Sequence, residues 1–157
     1  MGGMTAFRAV VEGLVDASAL VLVDVVPSPS NTGAQRIMKF MNSHHDGFAS
    51  LEAAADEISA FYPERARPSD ISGLRRNLRA RGDGRLYWHW DPRLFGAGPN
   101  PEPPNFAAWA GNVAAGITCP TLLVRGGRSD VVDDEGVSEL RRLLPQTDCS
   151  ILQVPDT

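Results

Sequence analysis

Histidine and cysteine are scarce: three histidines (His44, His45, His89) and two cysteines (Cys119, Cys149) occur in 157 residues. The cysteines stand far apart, with no Cys-x-x-Cys spacing and no companion histidine pair, so neither a zinc site nor a dithiol redox motif is indicated. Both read as buried thiols. His44 and His45 adjoin Asp46 and Gly47, but no further ligand is spaced to complete a metal site, and the pair reads as a solvated helix end. Neither a metal nor a cofactor is expected. No apolar run approaches the roughly 20 residues of a membrane-spanning helix, and no basic segment leads into an apolar one at the start of the chain. The expectation is a cytoplasmic protein without membrane attachment. A formal net charge of −4 gives no electrostatic reason to expect nucleic acid.

What remains is ordinary for a globular domain, 43% hydrophobic and 22% charged, in a chain long enough to bury a core. Phe7, Val10, Val11 and Leu14 recur at helical spacing over Thr5 to Leu14, with Gly13 stopping the helix. Ala19 to Val26 is an almost unbroken aliphatic run, the pattern of a parallel strand covered on both faces. From Asn31 the texture turns polar and helical. Ile37, Phe40, Met41 and His44 mark one stripe, and Leu51, Ala54, Ala55, Ile58 and Tyr62 mark a second behind a Ser50 N-cap. Ile71, Leu74 and Leu78 predict a third helix, and no strand is expected here beyond a short aromatic patch at Leu86 to Trp90. Gly96 to Asn105, rich in proline and glycine, is a linker. Phe106 to Ala115 returns to helix, and Cys119 to Val124 is a second buried strand. Asp133 or Asp134 caps a helix bearing Val137, Leu140, Leu143 and Leu144, and Ser150 to Val154 is a third strand. Strand, helical insertion, strand, helix, strand is an α/β pattern with a parallel sheet. It places Asp24, Asp130 and Asp156 near the carboxyl ends of the strands, where ligands gather.

The run Leu122-Leu123-Val124-Arg125-Gly126-Gly127-Arg128-Ser129-Asp130 breaks from an aliphatic strand at paired glycines and delivers a carboxylate. It resembles the acid loop of an α/β-hydrolase, in which an aspartate after a late strand orients the histidine that deprotonates a serine. Met1-Gly2-Gly3 resembles the residues that follow the nucleophile in a Gly-x-Ser-Met-Gly-Gly elbow, and Val154-Pro155-Asp156-Thr157 precedes the place of the family's Gly-His. The resemblance therefore implies a partial α/β-hydrolase fold. Residues 1–30 and 105–157 form the core, and residues 31–104 form a helical lid with its linker. It also implies a serine-type hydrolase of esters, lactones or amides with no cofactor. The nucleophile and base are absent from the chain, which is expected to be inactive alone.

Asp130 is the expected triad acid, set against a plain reading as a turn residue capping the next helix. Met1 is assigned, by resemblance, the backbone position that donates into the oxyanion hole, against an ordinary start residue. Gly2 and Gly3 match small residues that let the elbow helix pack closely. Asp24 is the competing acid, or a residue bonding loop amides. Trp88 and Trp90 either wall an apolar substrate cleft or anchor packing. Arg75, Arg76, Arg79, Arg81 and Arg85 form the basic cluster, read as a solvated helical face or a lid surface attracting anionic substrates. The expected partner is a small-molecule substrate once the site is complete, with no nucleic acid and no membrane. The alternative is a noncatalytic interaction module, self-associating through an exposed sheet edge, or a gene remnant.

Overall fold

The computed structural model describes residues 2–91, 109 and 117–155. The linker, most of the helix expected after it, Met1 and Asp156 lie outside the described residues. Two units divide the chain, residues 1–36 with 102–157 and residues 37–101.

In the first unit, α1 (Gly2–Val11) ends where the amides of Gly13 and Leu14 turn back to the carbonyls of Val10 and Ala9, a hydrogen-bonded stop that satisfies the last carbonyls. Strands β1 (Leu20–Val23), β4 (Thr121–Gly126) and β5 (Cys149–Val154) form a three-stranded sheet in the order β1-β4-β5. Both pairings are parallel, Leu20 facing Thr121 and Thr121 facing Cys149. This is the expected α/β sheet. Helix α4 (Asp134–Leu143) starts under an N-cap from Asp133, whose Oδ1 accepts the Gly136 amide at 2.8 Å. That contact resolves the choice between Asp133 and Asp134. Leu22 and Leu123 from the strands, Phe7 from α1 and Leu140 from α4 are each 0% exposed in one core, so both helices and the strands are joined by removal of aliphatic surface from water.

The opposite sheet face corrects an expectation. Strand β1 alternates buried and exposed residues, with Val21 55% and Val23 66% exposed. The aliphatic run spans both faces in sequence, but Val21 and Val23 on one of them stay exposed. Cys149 is likewise only partly buried, whereas Cys119 is buried; both are free thiols.

Helix α2 (Asn31–Met41) carries the boundary between the units. In the second unit, α3 (Leu51–Phe61) begins as expected at Ser50, whose Oγ accepts the Ala53 amide at 3.1 Å. The third helix is not formed. Ser72–Asn77 make a short 3-10 turn, and Leu78 opens β2 (Leu78–Ala80), antiparallel to β3 (Leu86–Trp88). Leu78 still meets its apolar demand, buried with Phe48, Leu51 and Ala54, so the same side chains satisfy a strand as readily as a helix.

Candidate active site

Three consequences of the first unit's topology meet at the carboxyl ends of the strands. Asp130 lies four residues beyond the end of β4, the middle strand. The loop that carries it is tied down locally. Gly127 donates to the Val154 carbonyl at 2.8 Å, and the Ser129 Oγ accepts the amides of Val131 and Val132 at 3.3 and 3.1 Å. A serine hydroxyl bonding amides two and three residues on is a turn device that fixes the backbone on either side of Asp130.

A second element holds the same loop. The Ser30 amide donates to the Val131 carbonyl at 2.8 Å. In the first turn of α2, a side-chain carbon on Gly33 would lie 1.9 Å from the Asp130 carbonyl oxygen; only a hydrogen fits there. One turn further, the Arg36 Nη1 donates to the Asp130 Oδ2 at 2.5 Å. Both side chains are nearly half exposed, 41% and 44%, so water screens this pair and its worth to folding is about 0–1 kcal/mol. Its consequence is orientation of the carboxylate.

Asp24 immediately follows β1 with a positive φ of 51°. Its amide donates to the Val124 carbonyl at 2.8 Å, and its Oδ1 accepts the Gly126 amide at 3.4 Å. The contact made is with a loop amide. Arg125, on β4, pairs with Asp134 at the start of α4. A carbon on Gly3 would sit 2.4 Å from the Val25 Cγ1, which accords with close packing of α1. Met1 lies outside the described residues.

The remaining candidates are in the second unit. His44 contacts Glu57 at 3.1 Å and lies against Phe48, with ring centroids 4.7 Å apart. It is half-buried and carries a φ of 59°, so it terminates the segment after α2 through contacts more specific than solvation. His45 is exposed, and the His89 Nδ1 lies 3.3 Å from the Asn77 carbonyl. Trp88 packs edge-on to Phe48 at 5.1 Å and stacks on Trp90 at 4.5 Å, with its Nε1 buried and without a hydrogen-bond partner among the described residues. The arginine cluster sits on the 3-10 turn and the hairpin and not on the helical face expected. Arg81 lies 4.0 Å over the Tyr87 ring, and Arg85 donates to the carbonyls of Asp46 and Gly47. Among the described residues no group of three His, Cys, Asp or Glu could hold a metal ion, and no helix is long and apolar enough to cross a membrane.

Sequence reasoning missed Gly33, Arg36 and Ser129. Ser129 had a local signal, a serine just before the acid and a short reach from two amides. Gly33 and Arg36 had none, since Arg36 and Asp130 are 94 residues apart.

No family model matches the chain. It is 33% identical over 148 residues to the esterase Rv0045c of Mycobacterium tuberculosis, an alignment covering 90% of this chain and 47% of that protein. Two solved structures of the M. tuberculosis esterase superpose with TM-scores of 0.65 at 28% and 30% identity, covering 99% of this chain and 52% and 50% of theirs. E-2-(acetamidomethylene)succinate hydrolase superposes with a TM-score of 0.70 at 18% identity, covering 99% of this chain and 56% of that one, a likeness of fold alone. The chain thus spans about half the length of the relatives it matches. With a three-stranded parallel sheet and this likeness over about half of each relative, the chain has part of an α/β-hydrolase fold.

Proposed function

We propose that this chain supplies the acid of a serine esterase, with Asp130 orienting a histidine and stabilising its protonated form. In that reaction a serine Oγ adds to an ester, lactone or amide carbonyl and its proton passes to the histidine. The same proton is then given to the departing alcohol or amine, leaving an acyl-serine that water cleaves by the same steps. The carrying observation is the placement of Asp130 in a fixed loop beyond β4, within a stretch similar to a mycobacterial esterase. The other unit, with Trp88 and Trp90, is read as the cap over an apolar substrate. Met1 keeps its assignment at the oxyanion position, and Asp24 is the lesser candidate for the acid. His44, His45 and His89 all belong to the other unit, whereas the resemblance places the base after the last strand, and an acid with no histidine has nothing to act through. The 157 residues alone are therefore expected not to turn over esters.

A chimera tests this. This chain replaces the aligned stretch of the M. tuberculosis esterase, which keeps its own remaining sequence, and hydrolysis of short p-nitrophenyl esters is followed. Asp130→Asn should lower kcat by about 10³- to 10⁴-fold, while Asp24→Asn should change it little. Full activity in the Asp130→Asn chimera, or loss confined to Asp24→Asn, would reject the assignment.

A second reading is favoured by one observation, the exposure of Val21 and Val23 on β1, an edge strand among the described residues. It makes the chain a module that pairs with a second copy of itself through that edge.

A further inference from the structure

We infer that Arg36 is a positioning residue for the esterase chemistry, a cation fixed on one oxygen of Asp130 so that the other is presented to a histidine. The inference rests on the reading of Asp130 as the acid and adds to it a partner from a different element. Three observations converge. Gly33, one turn earlier on α2, has no room for a side chain against the Asp130 carbonyl oxygen, so the helix start is seated directly on the acid loop. The Ser30 amide bonds the Val131 carbonyl from the same direction. From that seat Arg36 reaches Oδ2 through one nitrogen, Nη1. A two-pronged grip would occupy both oxygens and leave the histidine nothing; the one-pronged contact fixes the carboxylate plane and leaves Oδ1 to accept an imidazole N–H.

The charge has its own consequence. An imidazolium bonded to Asp130 would share the carboxylate with a guanidinium, and like charges at such range disfavour the protonated ring. Arg36 therefore tunes the histidine toward its neutral form, the form that acts as base. Other charges near the loop are Asp24 at the end of β1, Arg128 on the loop itself, and Asp133 and Asp134 at the start of α4. Asp24 bonds the Gly126 amide, Asp133 caps α4, and Asp134 pairs with Arg125. Arg36 is the cation seen on the Asp130 carboxylate among the described residues.

Two measurements decide the matter. In the 157-residue chain, nitrogen-detected NMR of the Arg36 guanidinium should show resolved, slowly rotating Nη signals that collapse in Asp130→Asn. In the esterase chimera, Arg36→Gln should lower kcat about 10-fold at near-constant KM and move the acidic limb of the kcat/KM profile to higher pH, with Arg36→Lys restoring the limb. A merely structural role for Arg36 would not move that limb. Arg36 signals indifferent to Asp130→Asn, or an Arg36→Gln chimera with unchanged rate and limb, would overturn the inference. Full activity in Asp130→Asn would instead overturn the underlying esterase reading.

Discussion

A methyl group on Gly33 would have to occupy space already filled by the Asp130 carbonyl oxygen, 1.9 Å away. Neither partner is the far end of a flexible side chain, so relief requires α2 or the acid loop to move. Gly33→Ala is accordingly expected to destabilise the chain by about 1–3 kcal/mol and to speed amide exchange at Val131 and Val132, measured by urea unfolding and hydrogen exchange. Gly73→Ala, with nothing within 4 Å of the added carbon, should stay within about 0.5 kcal/mol of the parent. Equal stability of the two variants would remove the evidence that α2 seats the loop. The place of Asp130 just beyond a strand was legible in the sequence because its signal is local, an aliphatic strand, two glycines and a carboxylate within nine residues. Its supports were not. Gly33 reads in sequence as a weak helix residue and Arg36 as a solvated one, and only the approach of α2 to Asp130 and Val131 brings either to that loop.

At the scale of elements, the hairpin of β2 and β3 shows where a periodic signal misled. Ile71, Leu74 and Leu78 have helical spacing, yet Arg81-Gly82-Asp83-Gly84-Arg85 is a stronger local statement. Gly84 has a φ of +78°, the Gly84 amide donates to the Arg81 carbonyl at 3.0 Å, and the Arg81 amide donates to the Arg85 carbonyl at 3.1 Å. That is a three-residue hairpin loop closed by a left-handed glycine, and the Asp-Gly pair announced it. The helices α3 and α4, by contrast, were placed from their caps, since an N-cap oxygen acts on amides within its own first turn. The hairpin also carries a titration. The Tyr87 hydroxyl donates to the Asp83 Oδ2 at 2.6 Å and the Arg85 amide to its Oδ1 at 3.0 Å. These bonds, the tyrosine's first, hold the Asp83 carboxyl below its ordinary value, and the same bond pushes the Tyr87 hydroxyl up. A carboxyl depressed on folding adds stability above its unfolded value of about 3.9, and that gain is lost as pH falls through the folded value. The Tyr87 ring resonances are therefore expected to shift with a midpoint below about pH 3.9, and the Asp83→Asn variant should lose that shift. A midpoint at or above the ordinary aspartate value would contradict the bond's assigned effect.

For the molecule as a whole, the α/β class was readable from the alternation of aliphatic and helical segments, but the coverage of its sheet was not. An aliphatic run has the same letters whether one face is covered or two. The structure leaves Val21, Val23 and Leu152 exposed, at 55%, 66% and 52%. Val21 faces Leu122, Val23 faces Val124, and Val124 faces Leu152, so these residues form one continuous apolar face. Among the described residues strand β1 is also an edge. Leu20 and Asp24 bond to the β4 side through their amides, so Val21 and Val23 direct theirs outward. On the self-association reading, the occupant of this edge is a second copy related by symmetry. Antiparallel pairing about a two-fold axis sets Val21 against the partner's Val23 and Val23 against the partner's Val21, satisfies the outward amides and carbonyls, and extends the valine face across both copies. It also sets Asp24 opposite the partner's Leu20, keeping the two carboxylates at opposite ends of the new pairing. The self-association reading thus predicts a concentration-dependent dimer in sedimentation velocity. Val23→Lys should shift the population to monomer by placing a charge on that face, and Val11→Ala, in α1 against the core on the other side of the sheet, should not. A parent chain that sediments as monomer at every concentration, with no uptake of an apolar dye, would show that this edge recruits no second copy.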